Sequence, residues 1–569
     1  RVADLDGDGD MEVVLATTDG LVYAFHHDGS AVLPDCAGPS GFIAIAGGDI
    51  SQTPALADLD GDGQLEVVVV SDDGMLHAFD AADGQELFAY VPGLVFANLD
   101  DLASAVYSHQ YYVDSTPYLA DTGSATLLVG GLGKGGKGYF CLDVTNAKTM
   151  TSESELAGNV KWEYPNASTP SAESADMGYS FSEAYIVKSN DTAHPWVAVF
   201  GNGYASTNEH AVLFVLDAFT GVKIAQIDTG VGSCNGLSTP IAVDVNLDGK
   251  MDYVYAGDLK GNLWKFDVTA SSASSWASAF GSQPLFQARD GAGAAQPITT
   301  KPEVMFHCVP GLPGYMVVTA TGKYLGNSDF ADTQTQTIYG LWDYGDDADN
   351  NEYLGAFNRP QLSNQPSTVT LLQQVQVYYD QPSNSNYTLR VLSQNEPEWN
   401  TMSDETSGQG VNPSDSEANN AGWYFDFPIS KERVIRNLMI RNGKVIFISS
   451  IPKSSPCAAG GDSILHEINA CSGGRLSTAQ FDINDDGEID DDDMITISVP
   501  DPNNPDTTID ILVAPSGIKY PEMIYPPKIM RHPDGTETKY FSTASGSIKM
   551  LREEGETRGI FYWRVRTED

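Results

Sequence analysis

The segment Asp4-Leu5-Asp6-Gly7-Asp8-Gly9-Asp10-Met11-Glu12 puts an acidic side chain at every second position and glycines between them. Calcium, a hard cation, takes about six to eight oxygen ligands, and a short loop supplies them only if a tight turn lets alternate side chains converge. In such a loop the first, third and fifth residues give carboxylates. The seventh gives its backbone carbonyl, and the ninth a carboxylate from the start of the next strand. This scheme assigns Asp4, Asp6, Asp8, Asp10 (carbonyl) and Glu12 to one site. Without an ion, near-parallel aspartates in a confined loop repel one another, which makes a metal-free acidic turn the costlier alternative.

The same spacing recurs. A second loop offers Asp58, Asp60, Asp62, Gln64 (carbonyl) and Glu66, and a third Asp244, Asn246, Asp248, Lys250 (carbonyl) and Asp252. Gln64 and Lys250 fall where only the backbone oxygen is needed, so their side chains do not conflict with the scheme. A fourth loop, Asp482 to Asp493, reads as an EF-hand loop. Its ligands are Asp482, Asn484, Asp486, Glu488 (carbonyl), Asp490 and Asp493, with Gly487 at the turn. Its last ligand is Asp rather than Glu, and no amphipathic helix flanks it, so a structural or modulatory role is expected rather than the opening motion of a sensor. Asp121, in Asp121-Thr122-Gly123-Ser124, has lost its companions and is read as metal-free.

These loops open repeated units. Val2–Phe25 and Leu56–Phe79 align without a gap at an offset of 54 residues, and Ala242–Phe266 is a third copy with one residue inserted. In each copy a β-branched run such as 67–70 is followed by an Asp-Gly or Lys-Gly turn. An alternating strand such as 75–80 and a further strand near 87–90 come next. Units of three or four antiparallel strands are blades, and the sequence predicts an all-β fold, a seven- or eight-bladed β-propeller with long inter-blade loop insertions and EF-hand-like calcium loops. Further units are expected around 194–226, 315–343, 434–470 and 537–564. We read 1–569 as a single propeller domain whose natural N-terminal part lies outside the sequence. Within it, 344–421, rich in Asp, Asn, Ser, Gln and Pro and interrupted by one strand-like run, Ser367 to Tyr379, is read as long surface loops with a hairpin, inserted between blades.

The 569 residues carry 31 basic and 77 acidic side chains, a net charge of −46, which opposes nucleic-acid binding and attraction to an anionic membrane. No apolar run has the length of a membrane helix, so no direct membrane insertion is expected. The cysteines at 36, 141, 234, 308, 457 and 471 form no CxxC pair. Cys457 and Cys471 are near enough in sequence to close one loop in an oxidising compartment, Cys234–Cys308 is a second candidate bridge, and Cys141 reads as a buried thiol.

Several runs resemble the C-terminal propeller of PilC/PilY-type type IV pilus assembly and tip-adhesin proteins. They are, in order, 73–80 and 86–90, 128–133, 255–267, 321–326, 339–343, 422–424, 432–434, 451–452 with Cys457, and 562–564. The resemblance covers roughly residues 50–569. It implies an extracellular protein, exported through the periplasm to the cell surface or pilus tip. The implied partners are minor pilins or other tip components, with a host or abiotic surface as a further one. It also implies that calcium in the loop Asp244–Asp252 tunes pilus extension against retraction. Members of the family usually carry a further N-terminal domain, and the acidic first unit is closer to FG-GAP repeats than to the family pattern.

Two other functions compete. Blade strands such as 78–90 also resemble quinone-dependent dehydrogenase propellers, but there is no vicinal Cys-Cys and no convincing His/Asp catalytic set. His77 reads as structural, and Ser182 and His210 lack a nucleophile-elbow context. The second rival is a free-standing calcium-dependent adhesin or lectin built on FG-GAP repeats, whose metal loops would look the same.

Overall fold

The computed structural model describes residues 1–5, 11–17, 19–26, 30–32, 42–50, 52–59, 61, 63–104, 106, 108–344, 353–365, 369–399, 420–453, 460–501, 504–532 and 536–553. The period-two pattern of the repeats becomes antiparallel sheet. In the second unit Ala55–Ala57, Glu66–Val70, Leu76–Phe79 and Glu86–Tyr90 lie side by side in chain order. Val67 stands opposite Phe79, Val68 opposite Ala78 and Val70 opposite Leu76. Gly74, at φ +94°, takes the left-handed conformation that closes the turn between the central strands, and Asp73 Oδ1 accepts the Met75 N–H at 3.0 Å.

The same order recurs from Val2–Ala3 to Phe42–Ile45, from Tyr118–Asp121 to Val160–Tyr164 and from Tyr185–Lys188 to Lys223–Asp228. Among the described residues seven sheets have four or more strands, which makes the fold a seven-bladed β-propeller. Among the described residues helix is confined to Glu153–Asn159, Ser171–Ser174, the eleven-residue 3₁₀ stretch Gly93–Ala103 and shorter 3₁₀ turns.

The chain divides into two compact units. Of the described residues, one comprises Arg1–Asp258 with Lys265–Ser282; the other comprises Leu259–Trp264 with those from Gln283 to Glu553. In the first, consecutive blades share their cores: Val68, Leu76 and Phe88 pack with Leu128, Phe140 and Leu142. Burying branched and aromatic side chains of this size stabilises by about 1.5–3 kcal/mol each. In the second unit Leu389, Val391, Ile446, Leu465, Phe481 and Ile518 form one cluster.

Two expectations need correction. The stretch 344–421 is more than surface loops. Thr370–Gln374 pairs in parallel with Asn420–Asp426, while Gln376–Asp380 and Thr388–Leu392 form a hairpin whose second strand joins Gly517–Tyr520. The single strand-like run is thus two strands in two sheets, and Leu389 and Val391 are fully buried. Residues 366–368 and 400–419 lie outside the described set, as does the 562–564 motif. The cysteine pairing also differs: Cys308 and Cys471, 163 residues apart, form the disulfide, at Cα–Cα 5.8 Å. Neither Cys457–Cys471 nor Cys234–Cys308 is therefore the bridge. Cys234 is a free, exposed thiol, Cys141 is free and buried as expected, and Cys36 and Cys457 lie outside the described residues.

His307, beside the disulfide, packs between Trp342 and Trp399 at ring-centroid distances of 4.6 and 4.7 Å. Burial pushes its pKa down to about 4. The unfolded chain takes up this proton near pH 6.5 and the folded one only near 4, so stability falls as the pH drops through that window. The expected loss is about 3 kcal/mol at most. Denaturation midpoints at pH 7.5 and 4.5 should therefore diverge, and His307→Phe should narrow the gap.

Candidate metal centres

All four acidic loops are pinned by one shared hydrogen bond, in which the second residue's backbone N–H donates to the last carboxylate. Leu5 donates to Glu12 Oε2 at 2.7 Å, Leu59 to Glu66 Oε2 at 2.5 Å, Val245 to Asp252 Oδ2 at 2.9 Å and Ile483 to Asp493 Oδ1 at 2.8 Å. The four receiving carboxylates are at most 2% exposed. Each is carried by, or stands just before, a strand rooted in the core: Glu12–Ala16, Glu66–Val70, Tyr253–Gly257 and Ile495–Asp501. A carboxylate oxygen that accepts one N–H keeps a second lone pair.

The third and fourth loops share most of their backbone hydrogen bonds. Asp244 Oδ1 accepts the Asp248 N–H at 3.2 Å and its Oδ2 the Gly249 N–H at 2.6 Å; Asp482 receives Asp486 and Gly487 at 3.2 and 2.9 Å. Asn246 Oδ1 holds the Asp248 N–H, and Asn484 Oδ1 the Asp486 N–H, both at 2.9 Å. Leu247 and Asp485 sit at φ +62° and +61°, and Gly249 and Gly487 at +85° and +87°. These left-handed residues turn the backbone so tightly that alternate side chains are gathered on one side. In the second loop Asp58 accepts the N–H groups of Gly61 and Gly63 at 2.6 and 3.1 Å.

Asp6, Asp8, Asp10, Asp60 and Asp62 lie outside the described residues. Among the described residues, no three His, Cys, Asp or Glu side chains form a ready-made metal-holding group. The carboxylates of the third and fourth loops are instead engaged with backbone N–H groups. The first and last carboxylates are buried, Asp244 and Asp252 in one loop and Asp482 and Asp493 in the other, while Asp248 and Asp486 face solvent. Burial pushes the Asp493 carboxyl above its ordinary range, and the charges of Asp482 and Asp486 add to the rise. This all-oxygen, like-charged donor set suits a hard cation, which would offset the repulsion.

Some supporting residues are distant in sequence. Asn190 Nδ2 donates to Asp252 Oδ1 at 3.1 Å and to the Met251 carbonyl at 2.8 Å. Around the fourth loop, Asn384 donates to the Asp492 and Met494 carbonyls, and the Tyr387 hydroxyl donates to Asp485 Oδ1 at 2.9 Å. Only an Asn/Ser-rich turn at 383–386 hinted at the second group. Asp121 accepts the Gly123 N–H in an ordinary turn. His77 is buried, with Nδ1 2.6 Å from Glu86 and Nε2 3.0 Å from Asp73.

Fold and loops together define a β-propeller in which three blades carry an acidic turn between their first and second strands. Residues 46–369 match the PilY1 β-propeller domain, and 4–69 match an FG-GAP-like repeat. The chain belongs to the PilY1 β-propeller family. The type IV pilus biogenesis factor PilY1 of Pseudomonas aeruginosa is 36% identical over 455 residues, which cover 74% of this chain and 36% of that protein. A PilY1 homologue of Xylella fastidiosa is 33% identical over 434 residues, covering 72% and 26% respectively. The crystal structure of the P. aeruginosa PilY1 C-terminal domain aligns with a TM-score of 0.65 at 29% identity, over 86% of this chain and 92% of that domain. The chain spans about a third or less of the length of these curated relatives.

Proposed function

We propose that this chain is the propeller of a type IV pilus biogenesis factor, that it holds calcium in its acidic loops, and that it works outside the cell with components of the pilus tip. The observation that carries the calcium reading is the N–H scaffold shared by the loops at Asp244–Asp252 and Asp482–Asp493. The pilus reading rests on the names and extent of the matching relatives. Asp244, Asn246, Asp248 and Asp252 would hold one ion with the Lys250 carbonyl. Asp482, Asn484, Asp486, Asp490 and Asp493 would hold another with the Glu488 carbonyl. A bound ion supplies charge neutralisation and locks the loop to its blade; the reading is of a binding protein rather than an enzyme. No helix among the described residues is long and apolar enough to cross a membrane. The FG-GAP-like match over 4–69 favours calcium-dependent attachment to a surface as a second role.

Minor pilins are the expected partners, and the third loop is the expected control point. Purified chain should retain minor pilins on a column in calcium, and excess chelator or Asp248→Ala should weaken retention about tenfold. Equal retention with and without calcium would separate the pilus role from the metal.

A further inference from the structure

The hairpin Ile495–Asp501/Asn504–Val513 stands apart from every blade. Its two strands pair only with each other, from Ile495↔Val513 out to Asp501↔Asn504, and among the described residues no third strand lies on either edge. An isolated two-stranded ribbon is marginal in water, so its base must hold it. Ile495, Ile497 and Val513 enter the core beside Phe481 and Ile483. Asn384 clamps the preceding Asp492 and Met494 carbonyls.

Further out the cover thins: Val499 and Ile511 still pack, partly buried, against this core. The cross-strand pairs Ile495–Val513, Ile497–Ile511 and Val499–Ile509 put an apolar stripe on one face, which is buried at the base and opens to solvent at Ile509, 38% exposed. Natural sheets blunt long edges with Lys, Pro or bulges. Here Pro500 and the register shift between Pro500 and Asp501 interrupt the outer end of the first strand, whereas 506–513 contains no proline and no basic residue. The only charges between 495 and 513 are Asp501, Asp506 and Asp510.

We propose that this ribbon is a docking arm: the edge of 506–513 accepts an extended, basic segment of another protein as a third strand, with apolar side chains of that segment on the Val499–Ile509 stripe. Backbone hydrogen bonding supplies the affinity, and the side-chain pattern supplies the selectivity. The three aspartates select positive charge and oppose a second copy of this acidic chain.

The test uses the full chain with two synthetic nonapeptides, one alternating lysine and valine and the other glutamate and valine, followed by fluorescence anisotropy and amide hydrogen exchange. The lysine peptide should bind and slow exchange across 507–512 about tenfold, with affinity falling as salt is raised. The glutamate peptide should do neither. The variant Asp506→Lys/Asp510→Lys lies outside the core and should melt like the parent while reversing the preference. Equal binding of both peptides, binding without protection of 507–512, or protection arising from self-association of the chain would each overturn the proposal.

Discussion

Replacing Glu432 by alanine is expected to destabilise the second compact unit by about 3–5 kcal/mol, because it leaves the Arg390 guanidinium buried without its counter-charge. Arg390 Nη1 and Nη2 donate to Glu432 Oε1 and Oε2 at 2.6 and 2.9 Å, and both side chains have no exposure. Ser449 Oγ donates to the same Oε1 at 2.6 Å and also lies 3.0 Å from His466 Nε2. His466 stacks on Phe447 at 4.3 Å, and burial, with the Arg390 charge, holds its pKa well below the ordinary histidine range. Neutral or protonated, an imidazole carries no negative charge, so His466 does not replace the missing carboxylate. Urea midpoints measure the loss. The double variant Arg390→Met/Glu432→Leu removes both charges and should recover most of it, since a buried pair replaced by apolar groups is often nearly neutral. A loss below about 1 kcal/mol for Glu432→Ala would mean that water reaches the pair.

The second large effect is expected on removing calcium. An ion that binds only the folded chain, present at a hundred times its Kd, stabilises by about 2.7 kcal/mol per site. The loops also hold strand starts in place, two blade strands through Glu66 and Asp252 and the Ile495–Asp501 ribbon strand through Asp493, so loss of the ion should loosen the loop and its strand together. Excess chelator should therefore lower the Tm by several degrees, in one or more steps, since metal-linked unfolding need not be two-state. Magnesium should restore little of this, because it demands a smaller, near-octahedral shell and dehydrates reluctantly.

Much of this was legible in the sequence where the information is local. The strands expected at 67–70, 75–80 and 87–90 are found at Glu66–Val70, Leu76–Phe79 and Glu86–Tyr90, because side-chain alternation and the Asp-Gly turn specify both register and reversal. The spacing of the acidic loops likewise located the backbone turns now seen at Gly249 and Gly487. What escaped is non-local. Nothing around Cys308 announces Cys471, and nothing in Thr370–Gln374 announces a parallel partner at Asn420–Asp426. Asn190, which braces Asp252 from 62 residues away, reads in isolation as an ordinary turn residue. Composition alone made 344–421 look like loop, because Leu389 and Val391 are few among many polar neighbours.

The most direct test counts bound calcium on the purified chain by equilibrium dialysis, alongside Asp248→Ala and Asp486→Ala. These exposed side chains can be removed without disturbing the core. The expected result is about four ions on the parent chain and one fewer on each variant. A parent chain that binds no calcium at millimolar concentration, or variants that bind as many ions as the parent, would contradict the assignment of these loops as its metal sites.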